Sequence, residues 1–269
     1  MTFLPIVGRE LRVAARRHNT FSIRVIVAVA AIIIGFFLFF VSLAASAQVV
    51  AERIFQGLSG LALLYCLVAG RRWTADCLSG EKREETLGLL FLTDLKGHDI
   101  VFGKLAATSL NGFYGLLAMV PVLAVPLLLG GLTHGEFWRL VVVLVNTFLF
   151  SLAIGIFVSA VIQDARRAFG ANFLLLLLVS AVPPACAGAI AYFSSTPRVI
   201  APLFYSCPAY SLYLSYDQHY RFEAVHFWSS IALVHAATWL LVGLACWLVP
   251  RSWQDQPGEA GVIRWRDRG

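Results

Sequence analysis

The sequence predicts an all-α integral membrane protein with six transmembrane helices, and three observations carry the prediction. Hydrophobic residues make up 59% of the 269 residues and charged ones only 13%, with a mean hydropathy of +0.78, outside the range of water-soluble globular domains. Apolar stretches near the length of a bilayer crossing recur six times. Lys and Arg crowd into alternate connections between those stretches.

A helix rises ~1.5 Å per residue and the hydrocarbon core is ~30 Å thick, so a crossing takes roughly 20 apolar residues. The six stretches run Val25 to Ala47, Ile54 to Gly70, Leu105 to Gly130, Trp138 to Ile162, Phe169 to Phe193 and Ser229 to Val249. The second is the shortest and the third the longest. The chain reads as one membrane domain over residues 1–269. Residues 1–24 form a cytosolic interfacial helix, 25–249 the six-helix domain with a cytosolic hairpin over 71–104, and 250–269 a cytosolic tail.

Ahead of the first span, Phe3, Ile6, Val7, Leu11 and Ala14 recur at helical spacing with Arg9, Arg12 and Arg16 on another side and Pro5 near the start. That pattern predicts a helix lying on the cytoplasmic leaflet. ASAQ at Ala45 to Gln48 looks like a signal-peptidase site, but the preceding apolar run exceeds a signal h-region of roughly 7 to 15 residues, so an uncleaved first span is expected.

Within the fourth span Ser151, Gly155 and Ser159 form a small-residue row, as do Ala181, Ala185 and Ala189 in the fifth; such rows let helices approach closely, and packing within the chain is the expected use. Pro183 and Pro184 predict a kink or break in the fifth span. The segment Ser194 to Trp228 holds Pro197, Pro202 and Pro208 among many Tyr and Phe residues. Aromatic rings favour the interface, and a re-entrant or interfacial hairpin before the sixth helix is expected.

With the N-terminus inside, seventeen of the 21 Lys and Arg residues fall in inner segments, and Arg53, Arg139, Arg198 and Arg221 in outer ones. The positive-inside rule then places both termini in the cytoplasm. The net charge of +6 is thus a topology signal, with attraction to anionic lipid secondary and no nucleic-acid partner implied. Only Cys207 of the five cysteines lies clearly in an outer segment, so no disulfide framework follows.

Apart from Arg139 at the outer edge of the fourth, none of the six apolar stretches carries Asp, Glu, Lys or Arg, groups that ion-coupled transporters use as relays. The internal polar residues Asn111, Asn146, Asn172, His235 and Thr238 are expected to hydrogen-bond between helices. Hydrolase signatures are absent, and no catalytic residue is assigned. Asp217, His219, Glu223 and His226 are of metal-binding types, but their spacing fits no compact motif, so no metal site is predicted. GHDIVFGK at Gly97 to Lys104 is not a phosphate loop. Five residues separate the glycines where four are needed, and Leu105 stands where the magnesium-binding hydroxyl belongs.

The five consecutive charges Glu81 to Glu85 would cost on the order of 12 to 18 kcal/mol at mid-bilayer, which puts this island in the cytoplasm. Leu87, Leu90 and Phe91 follow at helical spacing, then a turn over Thr93 to Gly97 and a helix into the third span. A short helix with a charged start and an apolar face, held away from the membrane, reads as a docking surface.

The run GEKREETLGLLFLTDLKGHDIVFGKL resembles the signature of ABC-2 type transporter permeases. That signature has a Glu-rich, Arg-containing segment, Thr-Leu, a Leu-Leu pair, a turn, and Gly-Lys opening the third helix. Here these are Glu81 to Glu85, Thr86-Leu87, Leu89-Leu90, Thr93 to Gly97 and Gly103-Lys104; Glu85 and Asp94 stand where the family usually has Gly and Pro. The predicted span layout is similar to the family's over nearly the whole chain.

The resemblance implies a multi-pass permease subunit of an exporter in the bacterial-type cytoplasmic membrane. ATP and magnesium would bind a separate ABC ATPase subunit, and a second permease copy or paralogue would complete the pathway. It implies that Glu81, Arg83, Glu84 and Thr86 make polar contacts with the ATPase. Leu87, Leu90 and Phe91 would pack against it, and Gly103 with Lys104 would serve as hinge and membrane-surface anchor. Tyr210, Tyr213 and Tyr216 are candidates for an outer gate or an interfacial belt. An ATP-independent channel or secondary transporter, and a membrane enzyme or assembly factor, are the competing readings.

Overall fold

The computed structural model describes residues 19–74, 77–80, 96–193 and 201–252, and every regular element among them is a helix. In order these are α1 (Asn19–Val41), α2 (Ala47–Thr74), α3 (Gly97–Leu128), α4 (His134–Val161), α5 (Ala165–Phe193), α6 (Ala201–Phe204), α7 (Pro208–Ser215) and α8 (Asp217–Ser252). Five of them, α2, α3, α4, α5 and α8, are long and apolar enough to cross a membrane; Val25–Val41 of α1 forms a shorter apolar run. Of the expected interfacial helix and cytosolic tail, residues 1–18 and 253–269 lie outside the described residues, while 19–24 belong to α1 and 250–252 to α8.

The structure refines the predicted spans at four points. The first apolar stretch does not continue helically to Ala47. α1 ends at Val41, the chain turns with the Ala45 N–H donating to the Ser42 carbonyl at 2.9 Å, and α2 begins at Ala47. The small residues there support a turn as readily as a helix, and hydropathy alone does not separate the two.

The second span is not short, because α2 has 28 residues. Its apolar core stops at Glu52-Arg53 and Arg71-Arg72, but the backbone stays helical past these charges. α5 runs unbroken through Pro183 and Pro184. α8 is two helices joined across a kink at Glu223 (φ −129°, ψ 34°), a short one from Asp217 and, after the kink, the long one that holds the apolar run at Ser229.

Around α4 the bundle is organised. Its span is 72% buried, against 6% for that of α5, and it packs on α2, α3, α5, α7 and α8. The main core joins Phe55 and Leu58 of α2, Met119 and Leu123 of α3, and Leu140, Leu144 and Phe148 of α4. A second cluster, of Leu78, Ile100, Val101, Ile156, Val242 and Val249, closes the end of the bundle next to the polar island.

Between α2 and α4 the approach is close enough to exclude side chains. A methyl group on Gly70 would collide with Ser151, and one on Gly155 with Thr74. The Ser151 hydroxyl donates to the Leu67 carbonyl at 2.8 Å, so this small-residue row packs within the chain as expected. The second row does not: Ala181, Ala185 and Ala189 are exposed, and it is Ala187 that is buried. α5 meets the bundle with its other side.

α3 ends in a residue of positive φ, Gly130 (φ 78°), whose N–H bonds the Leu127 carbonyl at 3.1 Å. A glycine there costs no steric strain. α4 then opens on Thr133, whose hydroxyl accepts the Glu136 N–H at 3.1 Å.

Candidate functional site

Residues 81–95 lie outside the described residues, and with them Glu81, Arg83, Glu84, Thr86, Leu87, Leu90 and Phe91. The two ends of the island are placed, and each is tied to a different long helix.

On the N-terminal side, residues 77–80 follow α2 and lean on α4. The Ser159 hydroxyl accepts the backbone N–H of Leu78 at 2.8 Å and of Ser79 at 2.9 Å, while the Leu78 side chain is fully buried. Two N–H groups that no local helix could satisfy are thereby met in an apolar setting, where an unmet one costs about 1–3 kcal/mol.

On the C-terminal side, Asp99 accepts the Lys96 N–H at 3.2 Å and so caps α3. Gly97 lies against α8; a methyl group there would come within 2.5 Å of the Pro250 ring and 3.0 Å of the Cys246 carbonyl. Gly103 and Lys104 fall in the second turn of α3, both buried, with Lys104 6% exposed. The backbone is helical through both.

From Ser159 to Arg139, α4 covers about 30 Å at 1.5 Å per residue, so it joins the island's first end to the opposite, distal end of the bundle. There Arg139 forms an ion pair with Asp217, the first residue of α8, and also donates through Nε to the Ser215 carbonyl at 2.9 Å. Its guanidinium sits 4.0 Å over the Tyr220 ring. Asp217 takes a second bond, from the Thr133 hydroxyl at 2.7 Å. One carboxylate thus binds the start of α8 to both the cap and the second turn of α4.

The three tyrosines suggested as an outer gate do not act as one unit. Tyr210 and Tyr213 stack at 6.4 Å, with Tyr205 on the far side of Tyr210 and His219 against Tyr213 at 3.7 Å. Tyr216 points the other way, packing edge-on to Phe55 and sharing a 2.6 Å hydrogen bond with the Ser59 hydroxyl on α2. Burial raises the phenol pKa of Tyr210 to about 12, with the Glu223 carboxylate adding to the effect. Burial also raises that of Tyr216, against the pull of the Ser59 bond.

The segment before the sixth span is therefore a packed cap of α6, α7 and the start of α8. Ser211 and Ser230 share a 2.6 Å bond, and Ser230 donates to the Tyr205 carbonyl at 2.9 Å. Asp217, His219, Glu223 and His226 go to separate partners, respectively Arg139, Tyr213, Tyr210 and Tyr205. The described residues hold no group of three metal-binding side chains.

Inside the bundle, Asn146 and His235 join α4 to α8 at 3.1 Å. Thr238 bonds its own helix at the Val234 carbonyl. Asn172 is buried with no hydrogen-bond partner among the described residues, and nothing is described of the Asn111 side chain.

Sequence reasoning missed the Ser159 clamp and the Arg139–Asp217 pair. Both join residues about eighty positions apart, and no local pattern encodes them. No protein-family model matches the chain, and a search of curated proteins finds no match.

Proposed function

We propose that the chain is the transmembrane permease subunit of an ATP-binding cassette exporter, lying in the cytoplasmic membrane with both termini inside and coupled through residues 81–95 to a separate ATPase subunit. The observation that carries this reading is that the charged island is tied at one end to α4 by Ser159 and at the other to α8 by the Gly97–Pro250 contact. The same two helices are joined again at the distal end by Arg139 and Asp217.

A push on the island would reach two long helices at their near ends, and the distal pair would convert any relative tilt into opening or closing of the far side. That is what a subunit without its own phosphate loop needs if work comes from a partner. The Glu81, Arg83, Glu84 and Thr86 side chains would meet the ATPase, with Leu87, Leu90 and Phe91 packed beneath. Gly103 and Lys104, buried inside α3, would then carry the push as part of a stiff helix. A second permease chain would supply the other wall of the pathway.

The test is a mild-detergent pull-down of the tagged chain with mass spectrometry, beside Glu84→Lys and Leu87→Asp. Recovery of an ATPase by the native chain and loss in both variants is expected. Failure to recover an ATPase even after crosslinking would favour an ATP-independent channel or an assembly factor.

A further inference from the structure

The distal end holds a cleft of about 380 Å³ whose lining includes Glu52, Phe55, Glu136, Tyr216, Arg221 and Phe222. Glu136 is the unusual member. It is only 8% exposed, its residue lines the cleft, and among the described residues no Lys, Arg or His nitrogen lies within ion-pair distance of its carboxylate. Burial first, and then the Asp217 and Glu52 carboxylates, push its pKa up to about 7, against the pull of the Asp217 backbone N–H and of Arg139.

Asp217 does not share this condition, since Arg139 and Thr133 occupy it. Glu136 and Glu52 both line a cavity that also has aromatic members, the Phe55 and Tyr216 rings standing edge to face at 6.1 Å. A half-buried pair of carboxylates is costly to keep charged unless a proton, a hydrogen-bond donor or a cation reaches it.

We propose that this cleft binds a primary ammonium group, which would donate N–H bonds to Glu136 and Glu52 and rest against the Tyr216 ring. An ammonium fits better than a bare metal ion. Its three N–H donors match two carboxylates, and a ring face attracts an organic cation. Arg221, exposed on the same lining, suits a ligand with an anionic group beside its amine. Two sources share this chemistry, a free small amine and the headgroup of an aminophospholipid. The proposal stands apart from the permease reading and does not need an ATPase.

The test uses the full chain in nanodiscs of phosphatidylcholine, whose quaternary headgroup has no N–H. Thermal stability is followed on titration with ethylammonium chloride, and separately on replacing part of the lipid with phosphatidylethanolamine. Potassium chloride at equal ionic strength is the control. Saturable stabilisation by ethylammonium assigns a soluble amine, and stabilisation by phosphatidylethanolamine alone assigns the headgroup; either supports the proposal.

Glu136→Gln, nearly the same shape without the charge, is expected to weaken the effect about tenfold or more. If that variant does not fold, hydrogen exchange on the native chain decides, since the amine must protect the peptides holding Glu136 and Tyr216. Equal stabilisation by potassium, an unchanged response in Glu136→Gln, or no protection in the native chain overturns it.

Discussion

The Ser159 hydroxyl on α4 holds the backbone N–H of Ser79 at 2.9 Å, and that of Leu78 beside it at 2.8 Å. One oxygen thus fixes the point where the chain leaves the bundle for the charged island. Replacing it by alanine orphans two N–H groups in a setting closed by Leu78, Ile156 and Val249. Ser159→Ala is expected to destabilise the chain by about 1–3 kcal/mol. It is also expected to raise hydrogen exchange at residues 77–80 before exchange rises elsewhere. Uniform exchange across the bundle would mean that the clamp is not a local anchor.

At the other end of the same helix, Arg139 and Asp217 are only 13% and 22% exposed at their side chains, so neither can simply turn to water when its partner goes. Asp217→Asn and Arg139→Met are each expected to cost about 1–3 kcal/mol. The double variant should cost clearly less than their sum, because it removes the stranded charge. Arg139→Met also loses the Tyr220 ring contact. Asp217→Asn is therefore the cleaner single change. Unfolding of the four proteins in one detergent measures the coupling, and additive costs would show that the pair does not act as a unit.

These two contacts mark the boundary of what the sequence could reveal. Spans are legible because crossing a bilayer imposes a length and a hydropathy on consecutive residues; α3, α4 and α5 lie close to where their apolar runs predict. Helix ends were harder, since Glu52 and Arg53 stop a hydropathy window but not a helix. The Ser151, Gly155, Ser159 row is readable as a close-packing face, yet nothing local distinguishes Ser159, which caps a distant backbone, from Ser151, which bonds the Leu67 carbonyl. Arg139 reads as an outer charge and Asp217 as an odd member of a possible metal set. Their pairing, 78 residues apart, follows only from folding the start of α8 back over α4.

The phenol of Tyr210 gives a pH prediction with a definite sign. Its pKa stands near 12, against 10.0 for an unperturbed tyrosine, first through burial and then through the Glu223 carboxylate, which accepts its hydroxyl at 3.5 Å. The folded chain therefore keeps this proton over a range in which an unfolded chain releases it. Its contribution is complete below pH 10 and is lost as the pH rises through about 12. Alkaline titration followed by phenolate absorbance should show one late tyrosine that disappears in Tyr210→Phe. In Glu223→Gln it should titrate earlier. An unchanged titration in Glu223→Gln would remove the carboxylate from the account and leave burial alone.

His235 carries the last prediction, because its neighbours determine where its proton lies. Trp239 has only an N–H to give, and it donates to His235 Nε2 at 2.9 Å. The ring proton must then sit on Nδ1, from which it donates to Asn146 Oδ1 at 3.1 Å, while Asn146 Nδ2 donates to the Ile231 carbonyl at 3.2 Å. The chain of bonds is complete with a neutral imidazole and joins α4 to α8 about a third of the way from the Arg139–Asp217 pair to the Ser159 clamp. Asn146→Leu removes the acceptor from Nδ1, and His235→Phe removes the donor from Oδ1. Each should destabilise the bundle by about 1–2 kcal/mol, with a coupling between them of roughly 0.6 kcal/mol and at most about 1.7. Unfolding of the single and double variants measures it. The double variant must cost less than the two singles together, since it leaves neither group stranded; a sum without coupling would show that the two side chains satisfy themselves elsewhere and do not tie the helices.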